Sequence, residues 1–195
     1  MRKLRLFVIC LLFASAHASA TPRTLTLEES QIDFTVKEMG VPVPGKFKRF
    51  EGTFDIDAAM PEKSSFLLRI DVGTLATGNE EADELAVGKD WLDKVHAPYA
   101  TFKSVSIRAL SGGRYETKGL LNIRNKEREI TIQFTSTDQA NGKTVIAGDF
   151  IIKRSEFGIG AGIWNQPGVV AEEIPVKVRL ALVSATGKLP APASR

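Results

Sequence analysis

Hydrophobic side chains in this chain fall on every second residue, in run after run, and that rhythm is the strongest constraint on its fold. Ile32, Phe34 and Val36 alternate with Asp33, Thr35 and Lys37. Phe50, Gly52, Phe54 and Ile56 alternate with Glu51, Thr53, Asp55 and Asp57. The same rule holds for Phe66, Leu68, Ile70 and Val72, for Ile130, Ile132 and Phe134, and for Ile174, Val176, Val178, Leu180 and Leu182. Side chains of a strand point alternately to its two faces, so each run is a half-buried antiparallel strand with one dry and one wet face.

Turn signals punctuate the runs. Ser111-Gly112-Gly113 separates residues 100–109 from 114–124. The charged segment from Arg124 to Arg128 leads into 129–137, and Asn141-Gly142 separates that run from 143–153. Asn-Gly is a strong hairpin signal. Four successive strands therefore form a meander, several of them about 9 or 10 residues long against a usual 5 or 6. Long one-sided meandering strands favour a closed barrel, because closure removes exposed edges and encloses the apolar face.

Two stretches break the rhythm. Residues 79–95 read as one or two short helices, with Asn79 as N-cap, Glu80 and Glu81 in the first turn, and Trp91, Leu92 and Val95 as an apolar side. This insert is expected to cover part of the sheet or one mouth of the barrel. Residues 154–172 are a glycine-rich loop expected to bend sharply and pack Trp164 back on the barrel.

Residues 1–20 have the form of a secretory signal peptide: Arg2, Lys3 and Arg5, an apolar run from Leu6 to Phe13, and Ala18-Ser19-Ala20 at the cleavage position. The apolar run is too short to span a bilayer, and no later segment reads as a transmembrane span. The expected product is an exported, periplasmic protein starting at Thr21. Removing the leader's three basic residues from the 26 Lys+Arg leaves 23 against 23 Asp+Glu. No net field remains to attract nucleic acid or an anionic surface. The only cysteine, Cys10, leaves too. The mature chain then has no disulfide and no thiolate ligand. Its length of about 175 residues suits one domain that buries roughly 70% of its unfolded surface. Residues 21–184 are read as that domain, and the Ala- and Pro-containing tail 185–195 is expected to be disordered.

The inward face is aromatic. Phe34, Phe50, Phe54, Phe66, Phe134 and Phe150 share it with Gly52, Gly119 and Gly148. Glycines there either leave a ligand cavity or mark bulges and corners of the sheet. Pattern alone leaves both open.

These residues resemble the YceI-like family of polyisoprenoid-binding, lipocalin-like proteins, over about Leu25 to Leu182. The resemblance rests on the segment from Ser30 to Lys37 followed by Met39-Gly40-Val41, and on the phenylalanine-rich block from Phe47 to Asp57. It rests further on Thr77-Gly78-Asn79 with Asp83 and Leu85, on Asp90-Trp91-Leu92-Asp93, and on the stretch from Ala97 to Ser104. The segments from Gly119 to Arg124 and from Lys153 to Gly160 complete the order. The chain departs from the pattern at Glu38, where many members carry histidine, and at Ala82-Asp83, Glu84-Leu85 and Trp91-Leu92.

The resemblance implies an all-β fold with a short helical insert, an eight-stranded antiparallel lipocalin-like barrel with an elongated apolar pore. It implies non-catalytic binding, with transport or storage, of an isoprenoid amphiphile such as a polyprenyl lipid or isoprenoid quinone, and no other cofactor. Register then nominates Phe34, Val36, Phe50, Phe54, Phe66, Leu68, Leu121, Phe134, Phe150 and Trp164 as pore lining, with Trp91 and Phe102 near a mouth. Transient membrane contact and a homodimer are compatible with this reading.

Other function classes fare worse. His96 with an aspartate and a serine would make a hydrolase triad, but no Gly-x-Ser-x-Gly elbow is present, and a lone histidine at a helix end is more often a surface or capping group. Zinc and copper lack ligands in a chain with one mature histidine and no cysteine. No Asp-x-Asp-x-Asp-Gly calcium loop occurs. Gly158-Ile159-Gly160-Ala161-Gly162 has the wrong spacing for a dinucleotide loop. A packed barrel acting as an interaction or stress-response module, with no lipid, stays open as the alternative.

Overall fold

The computed structural model describes residues 21–185, apart from residues 58 and 141. The leader at 1–20 and the tail from 186 onward lie outside the described residues. The chain forms eleven strands: β1 Thr21–Leu25, β2 Gln31–Glu38, β3 Val41–Phe47, β4 Phe50–Ile56, β5 Ser65–Asp71, β6 Leu75–Ala76, β7 Tyr99–Ala109, β8 Arg114–Ile123, β9 Lys126–Asp138, β10 Thr144–Lys153 and β11 Glu173–Ser184. Three pairs are halves of single bent strands. β1 and β2 are broken by a 3-10 turn at Leu27–Glu29, β3 and β4 by residues 48–49, and β5 and β6 by a 3-10 turn at Val72–Thr74. The result is an eight-stranded, antiparallel, closed barrel in simple up-and-down order.

Closure depends on β11. One edge pairs with β10 along ten positions, from Thr144↔Leu182 to Lys153↔Glu173. The other edge pairs with β1 at Leu25↔Leu182 and with β2 at Val178↔Ile32. Between those two segments the ladder would leave an amide unpaired, and a side chain fills the gap. The Ser30 hydroxyl accepts a hydrogen bond from the Ala181 N–H (2.9 Å) and donates to the Thr26 carbonyl (2.7 Å). The seam is therefore complete despite the kink.

The inward register is the one that the alternation predicts. Ile32, Phe54, Phe66, Leu68, Ile70, Leu121, Phe134, Ile146, Ile152, Ile174, Leu180 and Leu182 are all buried. The meander also follows the turn signals, with one difference. β9 begins at Lys126 rather than at residue 129, after a two-residue turn in which Arg124 (φ 53°) and Asn125 (φ 57°) are both left-handed. Residues 126–129 are polar and all exposed, with Lys126 reaching over the loop at Gly158.

The insert forms one helix, α1 Glu80–Ala86, whose N-cap Asn79 accepts from the Ala82 N–H at 3.1 Å. Residues 87–96 continue as tight turns in place of a second helix. Trp91 and Leu92 are buried, whereas Val95 is 79% exposed. Thr77 donates from its hydroxyl (2.7 Å) and its backbone N–H (2.6 Å) to Asp83 Oδ1. These two bonds hold the Asp83 carboxyl below the ordinary aspartate value of 3.8. Polar latches tie the insert to the barrel. Arg124 donates to the Lys89 carbonyl at 2.8 Å and to the Gly158 carbonyl, Asn125 Nδ2 donates to the His96 carbonyl at 3.1 Å, and the Ala161 N–H donates to the Asp90 carbonyl at 2.7 Å.

The glycine-rich loop is organised by a residue that sequence reasoning did not single out. Arg154 opens the one-turn helix α2 Arg154–Phe157 and is 4% exposed. Its guanidinium donates to the carbonyls of Ile159 (3.0 Å), Gly160 (3.1 Å), Trp164 (3.3 Å), Val170 (3.2 Å) and Ala171 (3.2 Å). A fixed planar fork of five donors is what lets one side chain satisfy so many buried carbonyls.

Two outcomes are expected. Arg154→Met lowers the unfolding free energy by about 2–4 kcal/mol in a urea titration, because it strands buried acceptors. Thr77→Val raises the Asp83 pKa toward the ordinary value, as read by NMR titration of its carboxyl. In the native chain, the stabilisation from the depressed Asp83 is present at neutral pH and is lost as pH falls through its folded pKa.

Candidate functional site

The inward faces of the barrel surround an open cavity, about 1,310 Å³ of non-atom space with the open solvent at its mouth included. Along β2 it touches Ile32, Phe34, Val36 and Glu38. At roughly 3.3 Å per residue, those positions alone span about 20 Å. β11 contributes Ile174, Val176 and Val178 to the same wall, and β7 and β8 contribute Ala100, Phe102, Leu121 and Ile123. The insert roofs it with Ala82, Leu85, Ala86, Trp91 and Leu92. Glu38 and Thr77 are the only residues of the lining other than aliphatic and aromatic ones. Among the described residues no lysine, arginine or histidine lines it.

The cavity is closed at one end by aromatic rings. Phe54 packs against Phe66 (centroids 5.7 Å), Phe66 meets Phe134 edge-on (5.6 Å), and Phe134 stacks on Tyr115 (5.4 Å). Such pairs are stabilising beyond their burial. Beyond this plug lies a second, more polar pocket that includes Arg23, Asp57, Ser136 and Asp138. The interior is therefore two compartments, not one continuous pore.

This geometry divides the nominated residues. Phe34, Val36, Trp91, Phe102, Leu121 and Phe150 line the cavity. Phe54, Phe66 and Phe134 form the plug, so their rings spend their surface on one another. Leu68 lies on β5 between the plug residue Phe66 and the cavity residue Ile70, buried but outside the lining. Phe50, cross-strand from Ile70, is likewise buried without reaching the cavity. Trp164 packs edge-on against Trp91 at 5.5 Å and so backs the lining without joining it. Strand register says which face a side chain takes. It does not say how far along the axis the space has already been filled.

The inward glycines need the same correction. They do not hold the cavity open. A side chain at residue 45 would collide with the ring of Phe34, its cross-strand partner, and one at residue 119 with the ring of Phe102. At residues 52 and 148 a Cβ would lie 2.7 Å and 2.8 Å from the carbonyls of Leu67 and Gln133. The rings of Phe34 and Phe102 pack over the bare backbone of Gly45 and Gly119, and that of Phe54 over Gly52, which shields it. Gly45 was missed because β3, with two prolines in seven residues, carries no clean alternation.

His96 sits on the outer face of the insert. Its side chain is 76% exposed, and Nδ1 lies 2.9 Å from Asp93 Oδ1. That contact is the main cause holding the Asp93 carboxyl below its ordinary value. The described hydrogen bonds bring no serine to this pair. Among the described residues no cluster of three or more metal-ligating side chains occurs, and no helix is long and apolar enough to cross a membrane.

Comparison with known proteins places this architecture. The chain is 32% identical to Burkholderia cenocepacia BcnA, whose crystal structure superposes with a TM-score of 0.77 over 80% of this chain and 98% of that one. A polyisoprenoid binding domain from Saccharophagus degradans, implicated in plant cell wall breakdown, is 15% identical. It shares the fold with a TM-score of 0.67 over 85% of this chain and 99% of that one. A UPF0312 protein of Pseudomonas savastanoi pv. phaseolicola is 30% identical over 142 residues, 69% of this chain and 74% of that protein. The model of the YceI-like domain matches residues 24–182. The chain belongs to the YceI-like domain family.

Proposed function

We propose that this protein binds an isoprenoid lipid, a polyprenyl lipid or isoprenoid quinone, inside its barrel, and carries or stores it in the periplasm without catalysis. The observation that carries this reading is the elongated one-ended cavity, apolar in all of its lining but Glu38 and Thr77. A branched hydrocarbon tail needs no directional contacts. Each CH₂ moved from water to such a wall contributes roughly 0.8 kcal/mol, so a long tail gains affinity from length alone. A tail kept in a barrel can cross an aqueous compartment that it could not cross free. The Saccharophagus domain of the same fold, a polyisoprenoid binding domain by its name, supports the ligand class. The leader-like segment at 1–20 supports export.

A barrel whose interior served only as a packed core would behave differently in one measurement. Native mass spectrometry of protein purified from its own host is expected to show an added isoprenoid mass. A fully folded protein with a clean apo mass, which also takes up no isoprenoid when it is supplied, would overturn the reading.

A second outcome tests the place of binding. Ala100 lines the cavity with a minimal side chain. Ala100→Leu puts its extra carbons into that space. It is expected to lower lipid uptake several-fold, while the midpoint of thermal unfolding moves by only a few degrees.

A further inference from the structure

The ring of strands is closed, but one of its seams is short. β9 pairs with β8 at ten positions, from Arg114↔Thr135 to Ile123↔Lys126. With β10 it pairs at only five, from Thr144↔Asp138 to Gly148↔Phe134. Past that last rung, residues 126–133 pair only with β8 and residues 149–153 only with β11. A crevice lies at this split, and its lining mixes the two faces of the sheet. Thr131, Ile151 and Lys177 belong to the outward register, whereas Ile130, Phe150 and Val176 belong to the inward one. The backbone of a sheet separates its two faces, so a crevice that touches both reaches into the wall. Phe150 and Val176 also line the barrel cavity. Two side chains are thus shared by the crevice outside and the cavity inside.

We propose that the β9–β10 split is a side entrance through which the isoprenoid ligand enters and leaves the cavity, with Phe150 as its gate. The inference rests on the lipid-binding reading above and adds the route. The competing route is through the roof, and it is tied down. Lifting the insert would break the bonds from Arg124 to the Lys89 carbonyl, from Asn125 to the His96 carbonyl and from the Ala161 N–H to the Asp90 carbonyl. At the split no rung of the ladder stands in the way, and rotation of one side chain is a far smaller event than release of a latched segment. The outer lip also suits a hydrocarbon. Ile151 is 57% exposed and sits opposite Pro175 in the β10–β11 ladder. A tail that crosses this lip passes from one apolar surface to the next.

An entrance sets the height of a barrier and leaves the bound state alone, so blocking it slows loading and release together at constant affinity. The only cysteine in the chain is Cys10, so a Cys10→Ser background accepts a single new thiol. Ile151→Cys places it on the lip, and Ile163→Cys places it on the loop behind the roof, where residue 163 is 68% exposed. Each is capped with a bulky maleimide, delipidated and mixed with farnesol in a stopped-flow instrument. Tryptophan fluorescence reports binding, because Trp91 lines the cavity. The cap at residue 151 is expected to slow loading and release alike, by roughly tenfold, with the dissociation constant unchanged. The cap at residue 163 is expected to leave both rates alone. Equal slowing by the two caps, or slowing by the cap at residue 163 alone, would overturn the side entrance while lipid binding stands. So would a cap at residue 151 that changes only the release rate, since that side chain would then merely be part of the wall. Phe150→Ala tests the gate: loading is expected to become several-fold faster, whatever happens to affinity, and unchanged or slower loading removes Phe150 from the role. Failure of the uncapped protein to bind farnesol overturns the lipid reading and the entrance with it.

Discussion

Hydrogen-bonded closure of the sheet along β11 is the constraint from which everything else in this molecule follows. A twelve-residue strand serves three neighbours, β10 on one edge and β1 and β2 on the other. Because the ring is complete, every inward side chain points at one axis, and the enclosed space is set by which side chains are large and where. The kink between β1 and β2 would breach that ring, and the Ser30 hydroxyl repairs it. A buried serine here is not a stray polar group but the missing rung of the ladder.

Within the ring, aromatic residues do two different jobs. Phe54, Phe66 and Phe134 meet one another and fill the barrel, whereas on the cavity wall Phe34 and Phe102 pack over glycines and Phe34 meets Phe47 at 5.4 Å. The pairing of Phe34 with Gly45 and of Phe102 with Gly119 shows how a wall can be aromatic without filling the lumen.

The roof is held by polar chemistry of a different kind. Backbone carbonyls of the insert and of the glycine-rich loop are gathered by two arginines, Arg124 from the hairpin tip and Arg154 from within the loop. Irregular backbone that covers an apolar cavity must still satisfy its carbonyls, and a guanidinium satisfies several at once. Among the described residues the lining itself carries no lysine, arginine or histidine.

Strand faces, the meander, the hairpin turns, the N-cap at Asn79 and the family were all legible in the sequence. They depend on local spacing or on short segments, and a period of two is a property of the backbone that no tertiary contact alters. Phe34, Val36 and Leu121, nominated from register, are residues for which facing inward and meeting empty space coincide. Phe54, Phe66 and Phe134 face inward just as surely, yet they fill the barrel, because depth along the axis depends on which rings meet across strands far apart in the chain. The glycines misled for the same reason, since the ring that covers residue 119 comes from the neighbouring strand and not from the glycine's own. Nothing local in the sequence marks Arg154 as the residue that folding buries among five carbonyls. Alternation along the chain decided which side of each ribbon is dry. Only the closed ring decided where that dry side encloses a void, because a void is the remainder after side chains from eight strands have taken their places.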